Sequence, residues 1–253
     1  MAKREKKNRT RVHLDIETTN EAAKQEYESG AIKKKFHIKD LKHVSAKTEN
    51  QKKAIEAFTK GNHLFMHGLA GTGKTFLGMF LGLKEVLQET TPYQKLIIVR
   101  SIVPVREIGF LPGTEEEKNE IYEMPYVALC NELFEVKKSY ENLKAGGYIQ
   151  FMSTSFLRGL TFNNAIILVD EIQNLSDEEF NTISTRVGIN SKIIFSGDGN
   201  QRDLKKNGLG KNIKIFKRMG NVSFIEFDVN DIVRSGFCRD YIIERDFVEN
   251  FDS

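Results

Sequence analysis

Eight consecutive residues constrain this chain more than any other feature of its sequence: Gly68-Leu69-Ala70-Gly71-Thr72-Gly73-Lys74-Thr75. They match the phosphate-loop pattern at every constrained position, and a short apolar run precedes them while a helical run follows. The glycines let backbone N–H groups point at a phosphate beside the positive end of the following helix. Lys74 supplies a charge for the β- and γ-phosphates, and Thr75 supplies a hydroxyl ligand for Mg²⁺. The sequence therefore predicts a site for ATP and Mg²⁺.

Short apolar segments alternate with longer helical stretches along the rest of the chain. Continuous apolar runs are typical of strands that are buried on both faces of a parallel sheet. The predicted strands are Leu64–His67, Lys95–Arg100, Tyr148–Met152, Ala165–Val169, Lys192–Phe195 and Val222–Phe227. Thr48 is the predicted N-cap of a helix ahead of the first strand. We therefore predict an α/β fold with a doubly wound, mainly parallel sheet of the P-loop NTPase type.

Two carboxylates follow the apolar strand Ala165–Val169 directly. Polar groups at the carboxyl end of a parallel strand lie where α/β sheets bind their ligands. Asp170 is suited to hold Mg²⁺, and Glu171 is suited to polarise the water that attacks the γ-phosphate. The adjacent glutamate favours hydrolysis over simple nucleotide binding.

A second polar group follows the strand Lys192–Phe195. Gln201 carries an amide that can hydrogen-bond both the γ-phosphate and the attacking water. Asp198 has two readings of equal weight, one as a turn-capping residue and one as a catalytic residue. Upstream of the phosphate loop, Gln51 offers the paired donor and acceptor that adenine requires, and its alternative is a solvated surface glutamine.

Charge is distributed unevenly, although the net charge is only +3, from 38 basic and 35 acidic residues. Basic runs at Lys3–Arg11 and Lys33–Lys47 mark a basic N-terminal extension, residues 1–45, ahead of an ATPase domain at 46–253. These runs are either solvated surface or an arm that neutralises nucleic-acid phosphates. Cys130 and Cys238 are interpreted as buried thiols in a reducing compartment. We find neither a membrane-spanning run nor a hydrophobic leader, and we expect a cytoplasmic protein.

In chain order, further motifs resemble those of the PhoH-like ATPases over about residues 48–245. They are the phosphate loop, Val99-Arg100-Ser101, Gly109-Phe110-Leu111-Pro112-Gly113, Phe156-Leu157-Arg158-Gly159, Val169-Asp170-Glu171-Ile172-Gln173-Asn174, Thr185-Arg186-Val187-Gly188, Ser196-Gly197-Asp198 with Gln201, and Asp231-Ile232-Val233-Arg234. The resemblance implies a single RecA-type lobe related to superfamily 1 helicases. It also implies that Gln51 reads adenine, that Arg100 belongs to the motif after the second strand, and that Arg234 senses the γ-phosphate.

From this resemblance and the basic N-terminal region we predict ATP hydrolysis coupled to binding or remodelling of single-stranded RNA or DNA. The alternative is a nucleotide-dependent protein-interaction module without translocation or unwinding, and a small-molecule kinase ranks below both. A single lobe has no neighbouring subunit to supply an arginine to its ATP site. We therefore predict a homo-oligomer, with a hexameric ring favoured. The candidate arginines are Arg158, Arg186 and Arg234. In the sheet, we expect the Lys192–Phe195 strand to lie between the phosphate-loop strand and the Asp170 strand.

One stretch interrupts the alternation of strands and helices. Residues 109–113 contain two glycines and a proline, and three consecutive glutamates follow at 115–117. Glycine and proline are the residues that most often end regular elements. We therefore predict an ordered loop or insertion for this stretch.

Overall fold

A computed structural model describes residues 36–102, 115–199 and 210–251 of the 253-residue chain. Within these ranges the strands are β1 (His63–Gly68), β2 (Lys95–Arg100), β3 (Ile149–Ser153), β4 (Ala165–Asp170), β5 (Lys192–Asp198) and β6 (Val222–Phe227). The α-helices are α1 (Glu49–Thr59), α2 (Lys74–Val86), α3 (Glu115–Leu133), α4 (Ser139–Ala145), α5 (Asp177–Ser184), α6 (Gly210–Met219) and α7 (Phe237–Phe251). Every predicted strand is present, with ends that differ by at most three residues.

The strands form one sheet in the order β3-β2-β4-β5-β1-β6, and every neighbouring pair is parallel. The predicted placement of β5 between β1 and β4 is confirmed, as is the doubly wound α/β class. Because all strands run in the same direction, the carboxyl ends of β1, β2, β4 and β5 lie at one edge of the sheet. Ligands of open α/β sheets bind at this edge.

Alternate residues of each central strand belong to two separate hydrophobic clusters, which explains the uninterrupted apolar runs. Leu168 and Ile194 lie in the cluster that includes residues of α1–α4, whereas Val169 and Phe195 lie in the cluster that includes residues of α5 and α6. Helix α2 lies close to the sheet because of its glycines: a Cβ at Gly78 would come within 2.7 Å of Leu168 Cδ1. The phosphate loop is therefore held on the sheet through the helix that follows it.

The helix that precedes the phosphate loop begins where the sequence predicts. The Thr48 side chain accepts a hydrogen bond from the Gln51 backbone N–H, and α1 runs from Glu49 to Thr59. Ahead of it, Phe36 and Leu41 are buried in the same hydrophobic cluster as α1. The rings of Phe36 and Phe134 meet edge to face with centroids 5.4 Å apart. Residues before 46 thus contribute to the packed core, while the domain boundary at residue 45 remains a prediction.

One interpretation of the sequence is wrong. Cys130 is buried as expected, but Cys238 is exposed at the start of α7, because that helix turns this position away from the core. The acidic residues 115–117 begin the 19-residue helix α3, whereas the predicted loop at 109–113 lies outside the described residues. None of the described helices is long and apolar enough to span a membrane.

Candidate functional site

The phosphate loop connects β1 to α2 and rests on the neighbouring strand β6. Gly68 has a φ of +125°, and a Cβ there would lie 2.0 Å from the Phe227 carbonyl oxygen. The next amide, Leu69 N–H, donates to that same carbonyl at 2.9 Å. Only glycine fits this approach. At the other end Gly73, with a φ of +82°, precedes the first turn of α2, so the free N–H groups of the helix face the loop.

Lys74 is buried, and its ammonium group is held by the loop itself. Its Nζ donates to the Leu69 carbonyl at 2.6 Å and to Thr72 Oγ1 at 3.2 Å. It also forms an ion pair of 3.0 Å with Asp198 Oδ1, at the end of β5. The sequence leaves two interpretations of Asp198 open, a turn-capping residue and a catalytic residue. The ion pair favours a residue of the site over a turn cap, because Asp198 contacts the phosphate-loop lysine.

Asp170 ends β4 and lies beside Thr75. Thr75 Oγ1 donates to Asp170 Oδ1 at 2.9 Å, and Ser196 Oγ lies 3.4 Å from Thr75 Oγ1. The other carboxylate oxygen, Oδ2, accepts a hydrogen bond of 2.9 Å from the hydroxyl of Tyr126 on α3. Burial raises the pKa of Asp170, and the hydrogen bonds from Thr75 and Tyr126 oppose that rise.

These groups fit Mg²⁺, which prefers hard oxygen ligands and keeps several of its waters when it is bound with substrate phosphates. The pair of Thr75 hydroxyl and Asp170 carboxylate supplies such oxygens next to the phosphate loop. Across the described residues we find no group of three or more His, Cys, Asp or Glu side chains that could hold a metal by themselves. The donor set therefore suits a cation that arrives with a nucleotide rather than one held by a protein cage.

Glu171 has a left-handed backbone, with φ of 54° and ψ of 47°. Its Oε1 lies 3.6 Å from Nη2 of Arg100, and its Oε2 accepts a hydrogen bond from the Gln173 side chain. The Gln173 amide oxygen in turn accepts from the backbone N–H of Asp198 at 3.0 Å. Burial raises the pKa of Glu171, the charge of Asp170 raises it further, and the Arg100 guanidinium opposes both. The candidate base thus has a partner on each carboxylate oxygen.

Arg100 and Tyr126 are the two site residues whose positions the sequence reasoning missed. Arg100 is the last residue of β2 and pairs in register with Asp170, the last residue of β4. That register was the available signal, because adjacent parallel strands that end together bring their last side chains close. Tyr126 offered no such signal, since it lies within a helix 44 positions before its partner.

The three predicted arginines lie at different places. Arg158 is exposed and pairs with Glu178 at 2.8 Å. Arg186 follows α5, which ends at Ser184, and its guanidinium donates to the Leu160 carbonyl. Arg234 lies at the phosphate loop, where a Cβ on Gly71 would come within 3.0 Å of its Cγ. Of the three, Arg234 is therefore the one that the fold places beside the loop.

Gln51 lies in the first turn of α1, and its buried side chain contacts the phosphate loop. Its side-chain Nε2 donates to the Thr72 carbonyl at 3.1 Å, and its Oε1 accepts from the Lys47 backbone N–H at 2.8 Å. It lines a cavity of about 380 Å³ together with Gly73, Phe76 and Arg234. A larger cavity of about 1070 Å³ is lined by Gly68–Ala70, Asp198 and Arg245. Gln201 and the segment 109–113 lie outside the described residues.

Comparisons with known proteins find a matching family model and related sequences. The family model described as PhoH-like protein matches residues 43–244. A PhoH-like protein of Synechocystis is 35% identical over 195 residues, which is 76% of this chain and 58% of the relative. Protein PhoH2 of Bacillus subtilis is 40% identical over 159 residues, 59% of this chain and 36% of its own. The chain therefore spans between about a third and three fifths of these two relatives.

Among solved structures, the large terminase of a thermophilic bacteriophage superposes with a TM-score of 0.51 at 12% identity. The match covers 78% of this chain and 49% of the terminase. At this level of identity the similarity concerns the fold alone.

Proposed function

This chain belongs to the PhoH-like protein family, and from that premise we propose that it binds ATP with Mg²⁺ at Gly68–Thr75 and hydrolyses it. The observation that carries the proposal is the convergence of four groups at one edge of the sheet. Lys74 lies in the loop, the Thr75 hydroxyl meets the Asp170 carboxylate at 2.9 Å, and Glu171 follows directly with its carboxylate beside Arg100. Phosphoryl transfer to water requires a positive charge beside the phosphates, ligands for the metal ion and a base. Lys74, the pair of Thr75 and Asp170, and Glu171 supply these in turn.

The loop and its lysine bind the phosphates. Backbone N–H groups at the start of α2 receive the phosphate oxygens, and Lys74 exchanges its ion pair with Asp198 for the β- and γ-phosphates. Thr75 and Asp170 would hold Mg²⁺, which when bound neutralises charge on the phosphate oxygens. Gln51 lies beside the loop and lines the smaller cavity, which supports its predicted role in reading adenine.

Glu171 accepts the proton of the attacking water. Its raised pKa supports this role, since a carboxylate whose pKa is raised accepts a proton more readily than an ordinary surface carboxylate. Gln201 is proposed as the amide that contacts the γ-phosphate. For the arginine that stabilises charge on the γ-phosphate, Arg234 remains our proposal, and Arg100 is a second candidate within the same chain because of its position beside Glu171.

We further propose that turnover is coupled to single-stranded RNA or DNA and that the chain acts as a homo-oligomer, with a hexameric ring favoured. The basic runs of residues 1–45 support contact with nucleic-acid phosphates. The alternative, a nucleotide-dependent protein-interaction module, is favoured by one feature of α7. Phe237, Tyr241 and Val248 are more than half exposed on that helix, and exposed apolar patches of this kind mark protein contacts.

The test of hydrolysis compares two variants by nucleotide binding and by phosphate release. Lys74→Ala should lose nucleotide affinity, whereas Glu171→Gln should keep it and lose turnover by on the order of 10²-fold. Turnover by Glu171→Gln at the wild-type rate would rule out Glu171 as the base. An absence of phosphate release by the wild type, with or without nucleic acid, would refute the ATPase proposal itself.

Adding single-stranded RNA or DNA to the wild type separates the two functional hypotheses. Stimulation supports coupling to nucleic acid, and unchanged turnover supports the interaction module. For assembly, inactive Arg234→Ala subunits are mixed with inactive Glu171→Gln subunits. Partial recovery indicates that a neighbour completes each site, whereas no recovery together with a monomeric mass in ATP contradicts the ring.

A further inference from the structure

The two oxygens of the Asp170 carboxylate have different hydroxyl partners. Oδ1 accepts from Thr75 at the start of α2, and Oδ2 accepts from Tyr126 on α3, each at 2.9 Å. A carboxylate turns readily about the bond that joins it to Cβ, because that torsion has broad minima. Two donors on opposite oxygens remove this freedom. The pair therefore fixes which oxygen faces the phosphate loop.

Tyr126 supplies its donor from a position that packing alone would give to phenylalanine. The side chain is fully buried within a hydrophobic cluster, and its ring lies 5.9 Å from that of Phe151 on β3. Its hydroxyl is the one polar atom of the side chain and lies within hydrogen-bond distance of Asp170. A buried phenol needs a polar partner, whereas a phenylalanine at this position would need none. The hydroxyl thus adds a contact to Asp170 and little to the packing.

The backbone that carries Tyr126 is itself held in place. One turn earlier on α3, the buried carboxylate of Glu123 accepts from Tyr140 Oη and from Lys144 Nζ, both at 2.8 Å and both on α4. These contacts fix α3 against its neighbour. The distance between the Tyr126 hydroxyl and the end of β4 is therefore set by the fold and not by a mobile side chain.

We propose that Tyr126 is a positioning residue of the magnesium site: it holds Asp170 so that Oδ1 stays directed at Thr75. This inference rests on the proposed function, since it concerns the same cation. While the Thr75 hydrogen is donated to Asp170, the lone pairs of the hydroxyl oxygen remain free for the metal. Outer partners of this kind orient metal ligands, and their loss weakens metal binding by about 10- to 100-fold in other proteins.

The test measures ADP affinity by fluorescence titration, once in EDTA and once in excess Mg²⁺, for the wild type, Tyr126→Phe and Tyr140→Phe. Tyr140→Phe is the matched control, because it removes a buried hydroxyl from the Glu123 carboxylate, away from Asp170, while Lys144 Nζ still contacts both oxygens of that carboxylate at 2.8 Å and keeps α3 in place. We expect all three proteins to bind ADP equally in EDTA. The gain in affinity on adding Mg²⁺ should fall about 10-fold in Tyr126→Phe, and it should be unchanged in Tyr140→Phe. Raising the Mg²⁺ concentration should restore ATP turnover to Tyr126→Phe.

Three results would overturn this role. The first is a Tyr126→Phe variant with the wild-type gain in affinity, and the second is an equal loss in both variants, which would indicate a general packing effect. The third is a loss of ADP affinity by Tyr126→Phe already in EDTA, because the hydroxyl would then act on the whole site. A wild type that binds no nucleotide at all would instead refute the proposed function, and it is recognised before any variant is compared.

Discussion

Removing the carboxylate of Asp198 should tighten nucleotide binding, contrary to the usual effect of a substitution at an active site. The Asp198 carboxylate holds the Lys74 ammonium at 3.0 Å. A phosphate must displace this partner and must then lie close to its negative charge. Asp198→Asn keeps the size of the side chain and the backbone N–H that donates to Gln173. It removes only the charge.

The magnitude follows from the distance and the exposure. Two unit charges at 3.0 Å attract by about 5.5 kcal/mol at an effective dielectric constant of about 20, and by roughly 1.4 kcal/mol in water. The Asp198 side chain is 47% exposed, which places the pair near the weaker limit. We take about 1–2 kcal/mol, which corresponds to roughly a 5- to 30-fold gain in affinity.

The assay is a titration of ADP in EDTA, so that no cation contributes. Glu226→Gln is the control: Glu226 lines the same large cavity and is exposed, and its substitution removes one negative charge. We expect Asp198→Asn to bind ADP about tenfold more tightly, with Glu226→Gln close to the wild type. Equal tightening in both variants would indicate a general charge effect, and unchanged or weaker binding by Asp198→Asn would refute the reasoning.

Two further predictions concern stability, both measured by chemical denaturation. Gly68→Ala should unfold at a much lower denaturant concentration than Gly147→Ala. Both positions have a positive φ, but only the Cβ at Gly68 would meet a backbone atom, the Phe227 oxygen. Equal losses of stability in the two variants would contradict the close approach. His67 is fully buried and, among the described residues, its ring nitrogens have no hydrogen-bond partner. Burial and the charge of Lys74 lower its pKa to about 4. As the pH falls, His67 therefore takes up a proton in the unfolded chain before it does so in the folded protein. Between pH 7 and pH 4 the free energy of unfolding of the wild type should fall by up to about 3 kcal/mol more than that of His67→Leu. Parallel pH profiles of the two proteins would contradict this.

The phosphate loop and the strands could be predicted because their signals are local. Each strand is a short apolar run, and Gly68–Thr75 is a continuous motif whose chemistry depends on its own residues. The placement of β5 between β1 and β4 follows from the resemblance of Asp170, Glu171 and Gln201 to P-loop enzymes with an additional central strand, not from any property of the run itself. Asp170 and Glu171 were found because they directly follow a buried strand.

The remainder depends on contacts between distant parts of the chain. Tyr126 reaches Asp170 only because α3 packs across the sheet, and a helical pattern does not specify that distance. The sequence places Arg100 in a motif but does not indicate that Glu171 lies beside it, because that contact depends on the register of two strands. The phosphate-loop motif predicts that Lys74 binds phosphate, but it does not indicate that the Lys74 ammonium pairs with Asp198. Local sequence therefore identifies the chemical groups, and packing decides which of them meet.

The support of the phosphate loop by β6 has a consequence for synthesis of the protein. Leu69 donates to the carbonyl of Phe227, and the Gly71 carbonyl accepts from Val233, so the loop rests on segments that are translated long after it. β1 also pairs with β6 along its full length. A nascent chain that has released only β1 to β5 lacks this support. We therefore expect the nucleotide site to form only late in translation, after β6 and Val233 have been synthesised.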